Sequence, residues 1–394
     1  MGFFKQVLSI TSMNLKTVLE RSGASIVIIV GIAGSVAVMV SLLAMAEGLE
    51  KTISSTGEDD RVIILRDGSG SELSSGIGNQ EIDILFSAPG IKKFEDESMV
   101  AGELFAIIDL KKKGAESTSN LPVRGVVPMS FSIRPEFEII KGRNITSGTA
   151  ELIVGKGAYD QYQGVEIGDK IKARDGEGTV VGIFSTGGDV HESEIWGDVS
   201  TLQSVFRREG NVSSAIARLE SKETFDDLRI YIESYPNLEL SVVTEDKFFE
   251  DQASGSELIK VFGVVVGYIM AIGAVFAALN TMYSAVSTRL VEIGTLRALG
   301  FKGSTVLVSL MIEAMILAII GGLLGAGIAF VLFNGYTVST LAGGSFTQTA
   351  FAFAVTGAVV QQGMSLALIV GLIGGVFPAW NAARRDITEA LRSI

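Results

Sequence analysis

Residues 287–304 read Ser-Thr-Arg-Leu-Val-Glu-Ile-Gly-Thr-Leu-Arg-Ala-Leu-Gly-Phe-Lys-Gly-Ser, a short charged island between two long apolar runs. Leu290, Ile293, Leu296 and Leu299 recur at three-residue steps, a spacing close enough to helical to predict one apolar face. Arg289, Glu292, Arg297 and Lys302 are left for the other faces or the ends. The chemistry available to such a helix is docking: the ridge packs into a partner's groove and the charges pair at its margin. Gly294 and Gly300 allow close backbone approach or a helix ending.

Other reactive residues form no catalytic set. Gly300-Phe301-Lys302-Gly303-Ser304 has the wrong order and spacing for a phosphate-binding loop. His191, the single histidine, lies in a loop rich in glycine and acids, with no second histidine and no cysteine to make a zinc site, and reads as a surface residue. There is no serine in a Gly-x-Ser-x-Gly elbow. Without cysteine there is no disulfide, so any outer domain is held by its core. Glu313 lies about seven residues, roughly 10 Å, into an apolar run. Carboxylates there are expensive and by default functional, but a structural hydrogen bond to a neighbouring helix or to the island's backbone is the favoured reading.

The elements that position these residues follow from the charge map. No charge occurs over 22–46, 261–288 or 314–383. A span needs roughly 20 apolar residues, so the chain is expected to be an integral membrane protein. Four spans are read, at 22–46, 258–286, 305–333 and 364–383, with 334–363 as a short outer connection. A fifth span in that connection is the alternative, and Phe346–Thr356 reads better as a strand or surface segment. Lys5, Lys16 and Arg21 precede the first span, Arg289, Arg297 and Lys302 lie in the island, and Arg384, Arg385 and Arg392 follow the last. Four spans put all three basic segments on the cytoplasmic side, with both termini inside; a fifth would place the last arginines outside. Residues 1–21 read as an amphipathic helix on the inner membrane surface, and 384–394 as a cytoplasmic tail. Ala44-Met45-Ala46 resembles a leader cleavage site, but the long apolar run before it favours an uncleaved anchor. Gly31/Ser35, Gly321/Gly325 and Gly371/Gly375 have the small-xxx-small spacing that lets helices approach closely.

Residues 47–257 then form a large extracytoplasmic domain. It holds 22 of the 32 Lys+Arg and 39 of the 44 Asp+Glu, a net charge of −17. Such acidity repels nucleic acid and anionic headgroups and keeps the domain soluble. Strands are expected at 61–66, 100–110, 121–127, 137–141, 151–154, 170–174, 179–184, 215–219 and 239–243, with a helix at 222–235 stopped by Pro236-Asn237. Residues 67–80 read as a flexible loop, and 245–257 as a polar stalk. The fold class is therefore a four-helix membrane part with an inserted α+β outer domain of two subdomains: a split α+β part (about 58–120 and 212–250) and an inserted β-rich part (about 121–211).

Thr288–Gly300, with Arg289, Glu292, Gly294, Arg297 and Gly300, resembles the Glu-Ile-Gly-x-x-Arg-Ala-x-Gly signature of the MacB/FtsX-like permeases, the type VII ABC transporters. Pro378-Ala379, Ala382-Ala383-Arg384 and Ala390-Leu391-Arg392 resemble their C-terminal pattern, with Ile387 where proline is common. Glu138–Arg143, Glu151–Gly155, Gly168-Asp169 and Val180–Phe184 resemble their periplasmic core domain. The resemblance implies a non-catalytic subunit in a bacterial inner membrane that works as a homodimer. Two cytoplasmic ABC ATPase subunits would bind the ATP and Mg, and the chain itself would need no cofactor. The helix at 287–304 would contact the ATPase through Arg289, Leu290, Glu292, Ile293, Gly294, Leu296, Arg297 and Gly300. In MacB-type members the outer domain meets a periplasmic adaptor and an outer-membrane channel. The expectation is export of a periplasmic substrate by mechanotransmission; the alternatives are a transmembrane regulator of a cell-wall hydrolase and a lipoprotein-extraction permease.

Overall fold

A computed structural model describes residues 3–18, 22–114, 118–235, 238–252, 254–341 and 348–387. Arg21, Pro236-Asn237 and Ala390-Leu391-Arg392 lie outside the described residues. The helices are α1 (Phe3–Val18), α2 (Ser22–Ser54), α3 (Asn79–Leu85), α4 (Pro128–Ile133), α5 (Lys156–Gln161), α6 (Val199–Phe206), α7 (Phe225–Glu233), α8 (Glu245–Gln252), α9 (Ser254–Thr288), α10 (Leu290–Ala298), α11 (Gly303–Phe333) and α12 (Gly357–Arg384). The strands are β1 (Arg61–Arg66), β2 (Ile77–Gly78), β3 (Lys93–Phe94), β4 (Glu97–Ser98), β5 (Val100–Lys111), β6 (Thr118–Val126), β7 (Glu138–Gly142) and β8 (Glu151–Gly155), followed by β9 (Lys170–Ala173), β10 (Gly176–Ser185), β11 (Ile195–Asp198), β12 (Asn211–Val212), β13 (Ser214–Arg218), β14 (Leu240–Thr244), β15 (Thr337–Leu341) and β16 (Gln348–Ala352). The chain divides into two compact units, one of residues 1–47, 258–336 and 353–394, the other of 48–257 and 337–352.

In the first unit, four helices among the described residues are long and apolar enough to cross a membrane: 25–54, 257–288, 303–333 and 357–384. The fourth begins at Gly357 rather than 364, because the Thr356 side chain caps it by accepting from the Val359 N–H. Gln361 and Gln362, read as part of the polar connection, lie within its first turns. Close packing explains the glycines at two of the three expected small-residue motifs. A Cβ on Gly371 would lie 2.4 Å from the Ala318 Cβ, and one on Gly375 2.7 Å from that of Ala314. A Cβ on Gly325 would lie 2.4 Å from the Ala33 carbonyl oxygen. Gly31, by contrast, faces open space, so the first motif makes no such contact.

The second unit is built on one continuous sheet, ordered β14-β1-β13-β5-β6-β11-β8-β10-β7, with β9 on β10. Only β6–β11 and β8–β10 run parallel among these pairs. The two expected subdomains share a strand: residues 100–103 of β5 pair with β13, while 104–111 pair with β6. One core, around Leu85, Leu219 and Leu228, lies between the β1–β13–β14 end and α3 and α7; another, around Leu104, Leu121 and Val154, is covered by α5 and α6. The expected flexible loop at 67–80 is ordered. Its Ser75 hydroxyl accepts from the Arg66 N–H, and the Arg66 guanidinium donates to both Glu81 carboxylate oxygens at 2.8 and 2.7 Å. The expected 222–235 helix is α7 preceded by a 3₁₀ turn at Lys222–Thr224. The connection between α11 and α12 carries the β15–β16 hairpin, consistent with the strand reading of Phe346–Thr356 and not with a fifth span.

Candidate functional site

Helix α10 has nine residues, too few to persist without packing. Its apolar residues therefore cover the nearest apolar surface, which belongs to its own unit. Ile293 is buried in a cluster with Ile10 of α1, Val286 of α9, Val306 and Leu310 of α11, and Ala379 and Ala382 of α12; Leu290 and Leu296 pack against it. Ile293 is therefore covered within its own chain rather than open to a partner's groove, and Leu290 and Leu296 are partly covered. The spacing contains the reason. Each residue turns a helix by about 100°, so three-residue steps drift, and Leu299 lies about 180° from Leu290. Leu299 is accordingly 72% exposed. Val291, Glu292, Thr295 and Ala298 share its exposure, as does Lys302 just beyond.

The end of α10 is fixed by its backbone. Gly300 adopts φ +95°; its N–H donates to the Arg297 carbonyl at 3.1 Å, and the Phe301 N–H donates to that of Leu296 at 3.2 Å. These are the paired bonds of a Schellman ending, for which glycine is the residue of choice. Gly300 thus serves as the helix stop, and Gly294 is buried on the inner face.

Two expected charges pair within the chain. Arg289, just before α10, is 4% exposed, and its Nη1 donates to Glu313 Oε2 on α11 at 3.2 Å. Glu313 is thus paired with the island's arginine side chain. A carboxylate at this depth is costly alone, and the ion pair offsets that cost. The Arg297 Nη1 donates to the Arg385 carbonyl and so ties α10 to the chain leaving α12. Arg289, Leu290, Ile293 and Leu296 thus build the platform, while Val291, Glu292, Thr295, Ala298 and Leu299 form its outward face.

A second constellation lies in the other unit and was not foreseen. Arg124 of β6 donates to Glu72 at 2.7 and 2.9 Å, to Glu194 at 2.7 and 2.8 Å, and to Glu103 of β5 at 3.0 Å. Arg134, which ends α4, donates to both oxygens of Glu103 at 2.6 and 2.9 Å. Arg61, opening β1, pairs with Glu136 and with Glu245 of α8. His191, expected at the surface, is 1% exposed, 3.5 Å from Glu194 and 3.8 Å from Glu245. Its ring meets Trp196 and Phe249 edge-on. Burial opposes the imidazolium, but Asp189, Glu194 and Glu245 outweigh it and raise the His191 pKa to about 9. Glu245 resists its own burial through His191 and Arg61 and is held at about 2; burial pushes Asp189 up to about 6. The cluster joins strands from both parts of the sheet. Its arginines occupy the carboxylates, and no group of three or more metal-ligating side chains is present among the described residues. The available signal was a charge inside an apolar strand: Glu103 in Val100–Leu104 and Arg124 in Leu121–Val127.

Comparison with known proteins agrees with this architecture. Residues 25–235 match the family described as MacB-like periplasmic core domain, and 264–387 match the FtsX-like permease C-terminal family. An uncharacterized ABC transporter permease of Methanocaldococcus jannaschii is 22% identical over 417 aligned positions, covering all of both chains. The uncharacterized ABC transporter permease YknZ of Bacillus subtilis is 32% identical over 132 residues, 34% of this chain and 31% of that protein. The macrolide export ATP-binding/permease protein MacB of Psychrobacter cryohalolentis is 34% identical over 113 residues, 29% of this chain and 16% of that protein. The chain thus spans the whole archaeal relative but less than a third of either bacterial one. The periplasmic region of MacB from Actinobacillus actinomycetemcomitans superposes with a TM-score of 0.37 at 11% identity, over 52% of this chain and 98% of that one. With a MacB-like core domain matched over more than half its length and an FtsX-like C-terminal region after it, the chain belongs to the MacB/FtsX-like ABC transporter permeases.

Proposed function

We propose that the chain is the non-catalytic permease subunit of an exporter, driven by a separate cytoplasmic ABC ATPase that docks on the outward face of α10. The observation that carries this reading is the division of labour within the island. Arg289, Leu290, Ile293 and Leu296 anchor α10 to the helix ends, and an exposed strip from Val291 to Leu299 is left for a soluble partner. An anchored helix moves with its spans, so force applied to that strip enters the membrane unit. The basic residues near the span ends favour a cytoplasmic α10 and an extracytoplasmic second unit. The name of the Psychrobacter relative joins ATP binding and permease, which supports an ATPase as the source of energy. Two copies of this chain with two ATPase subunits, in a bacterial inner membrane, would complete the assembly. The large two-part outer domain favours export through an adaptor and outer-membrane channel over hydrolase regulation or lipoprotein extraction.

The test is affinity capture of the native complex followed by mass spectrometry, comparing wild type with Leu299→Glu. The expected result is an ABC ATPase with the wild type and at least tenfold less with the variant, at unchanged thermal stability. Equal capture by both would remove the outward face from the account.

A further inference from the structure

Within the second unit, a half-open cavity of about 650 Å³ lies where β5 passes from one part of the sheet to the other. Ile82, Phe86, Val100, Val127, Met129 and Val199 supply its apolar lining. The β3–β4 hairpin forms the rim. Its two-residue turn, Glu95-Asp96, has φ of 50° and 66°, and Phe94, which lines the cavity, is 48% exposed. Glu95 and Glu97 line the cavity, and among the described residues no lysine or arginine does. Asn79, Ser132 and Gln203 add a few neutral polar groups.

The volume falls within the roughly 300–1,000 Å³ of ordinary ligand sites, and the lining has their composition of apolar walls with sparse polar groups. An apolar body would displace water from the walls, while a positive charge would be drawn to the two exposed rim carboxylates. An anion would meet both carboxylates, and Lys93 of the same hairpin is not among the lining residues. We infer that this groove is a binding site for an amphiphilic organic cation. Binding stands on the cavity alone; that such a cation is cargo rests on the exporter reading above.

The experiment places the full chain in nanodiscs of zwitterionic lipid, with empty discs as reference, and follows the fluorescence anisotropy of rhodamine 6G, an amphiphilic cation. The assignment predicts saturable binding beyond that of empty discs. Affinity should fall at least fivefold in Glu95→Gln/Glu97→Gln, whose exposed positions leave the core intact, and at least tenfold in Ser132→Trp, which fills the groove. The anionic amphiphile 1-anilinonaphthalene-8-sulfonate should not compete. Unchanged affinity in both variants, equal competition by the anion, or no binding above empty discs would overturn it. So would a Ser132→Trp variant that loses self-association but retains the probe, which would give the groove to a second copy. Failure here alongside successful ATPase capture removes the site and leaves the exporter reading standing; binding without ATPase capture does the reverse.

Discussion

At the residue scale, the island and the buried cluster show charges used for structure as much as for contact. Arg289 and Glu313 are a nearly buried pair, and removing one partner of such a pair costs about 3–5 kcal/mol because the other is stranded. Arg289→Ala should therefore lower the thermal stability of the detergent-solubilised protein sharply, whereas Arg289→Leu/Glu313→Leu should recover most of the loss. A double variant as unstable as the single one would contradict the structural role. His191 gives a pH signature. Its pKa is raised from 6.5 to about 9, so its contribution is complete below about 6.5 and disappears as pH rises through 9. Glu245, lowered from 4.5 to about 2, contributes above 4.5 and loses that contribution as pH falls towards 2. The unfolding temperature of the wild type should thus fall more steeply between pH 7 and 9.5 than that of His191→Phe; parallel curves would show that the histidine is neutral. Neither pair was legible in the sequence. Glu313 stood out as an intramembrane acid, but its partner is 24 residues away, and a histidine flanked by glycines and acids reads as solvated until the fold packs Trp196 and Phe249 around it.

At the element scale, the long periodic features were readable and the short ones were not. Strands β1 and β5 lie where runs of apolar and β-branched residues predict them, because that signal is local. The inward turn of α10 was misread because a nine-residue helix takes its orientation from the surface it meets; the three-residue spacing also allowed Leu299 to be grouped with a ridge from which it points away. Small-residue motifs were likewise ambiguous. Gly371 and Gly375 face Ala318 and Ala314, while a Cβ on Gly31 would meet nothing within 4 Å. An added methyl at Gly371 has no room, and overpacking of this kind costs about 1–3 kcal/mol. Gly371→Ala should therefore reduce folded yield and melting temperature, and adding Ala318→Gly should restore both, whereas Gly31→Ala should be silent. Failure of Ala318→Gly to rescue would mean that these two helices do not meet at that position.

At the scale of the whole molecule, the permease subunit proposed above takes force on one short helix and carries a folded domain in the chain that follows its first span. The three uncharged runs, 22–46, 261–288 and 314–383, made the four long apolar helices visible from the sequence alone, since lipid tolerates few alternatives. What composition could not give was which face of α10 is free. The chain has no cysteine, so single-cysteine variants can be made without first removing native thiols. The most direct test places a photocrosslinking amino acid at Leu299, and separately at Ile293, in cells that contain the ATPase. The account predicts an adduct with the ATPase from position 299 and none from position 293. An adduct from 293 alone, or crosslinking of 299 only to proteins outside the cytoplasm, would contradict it.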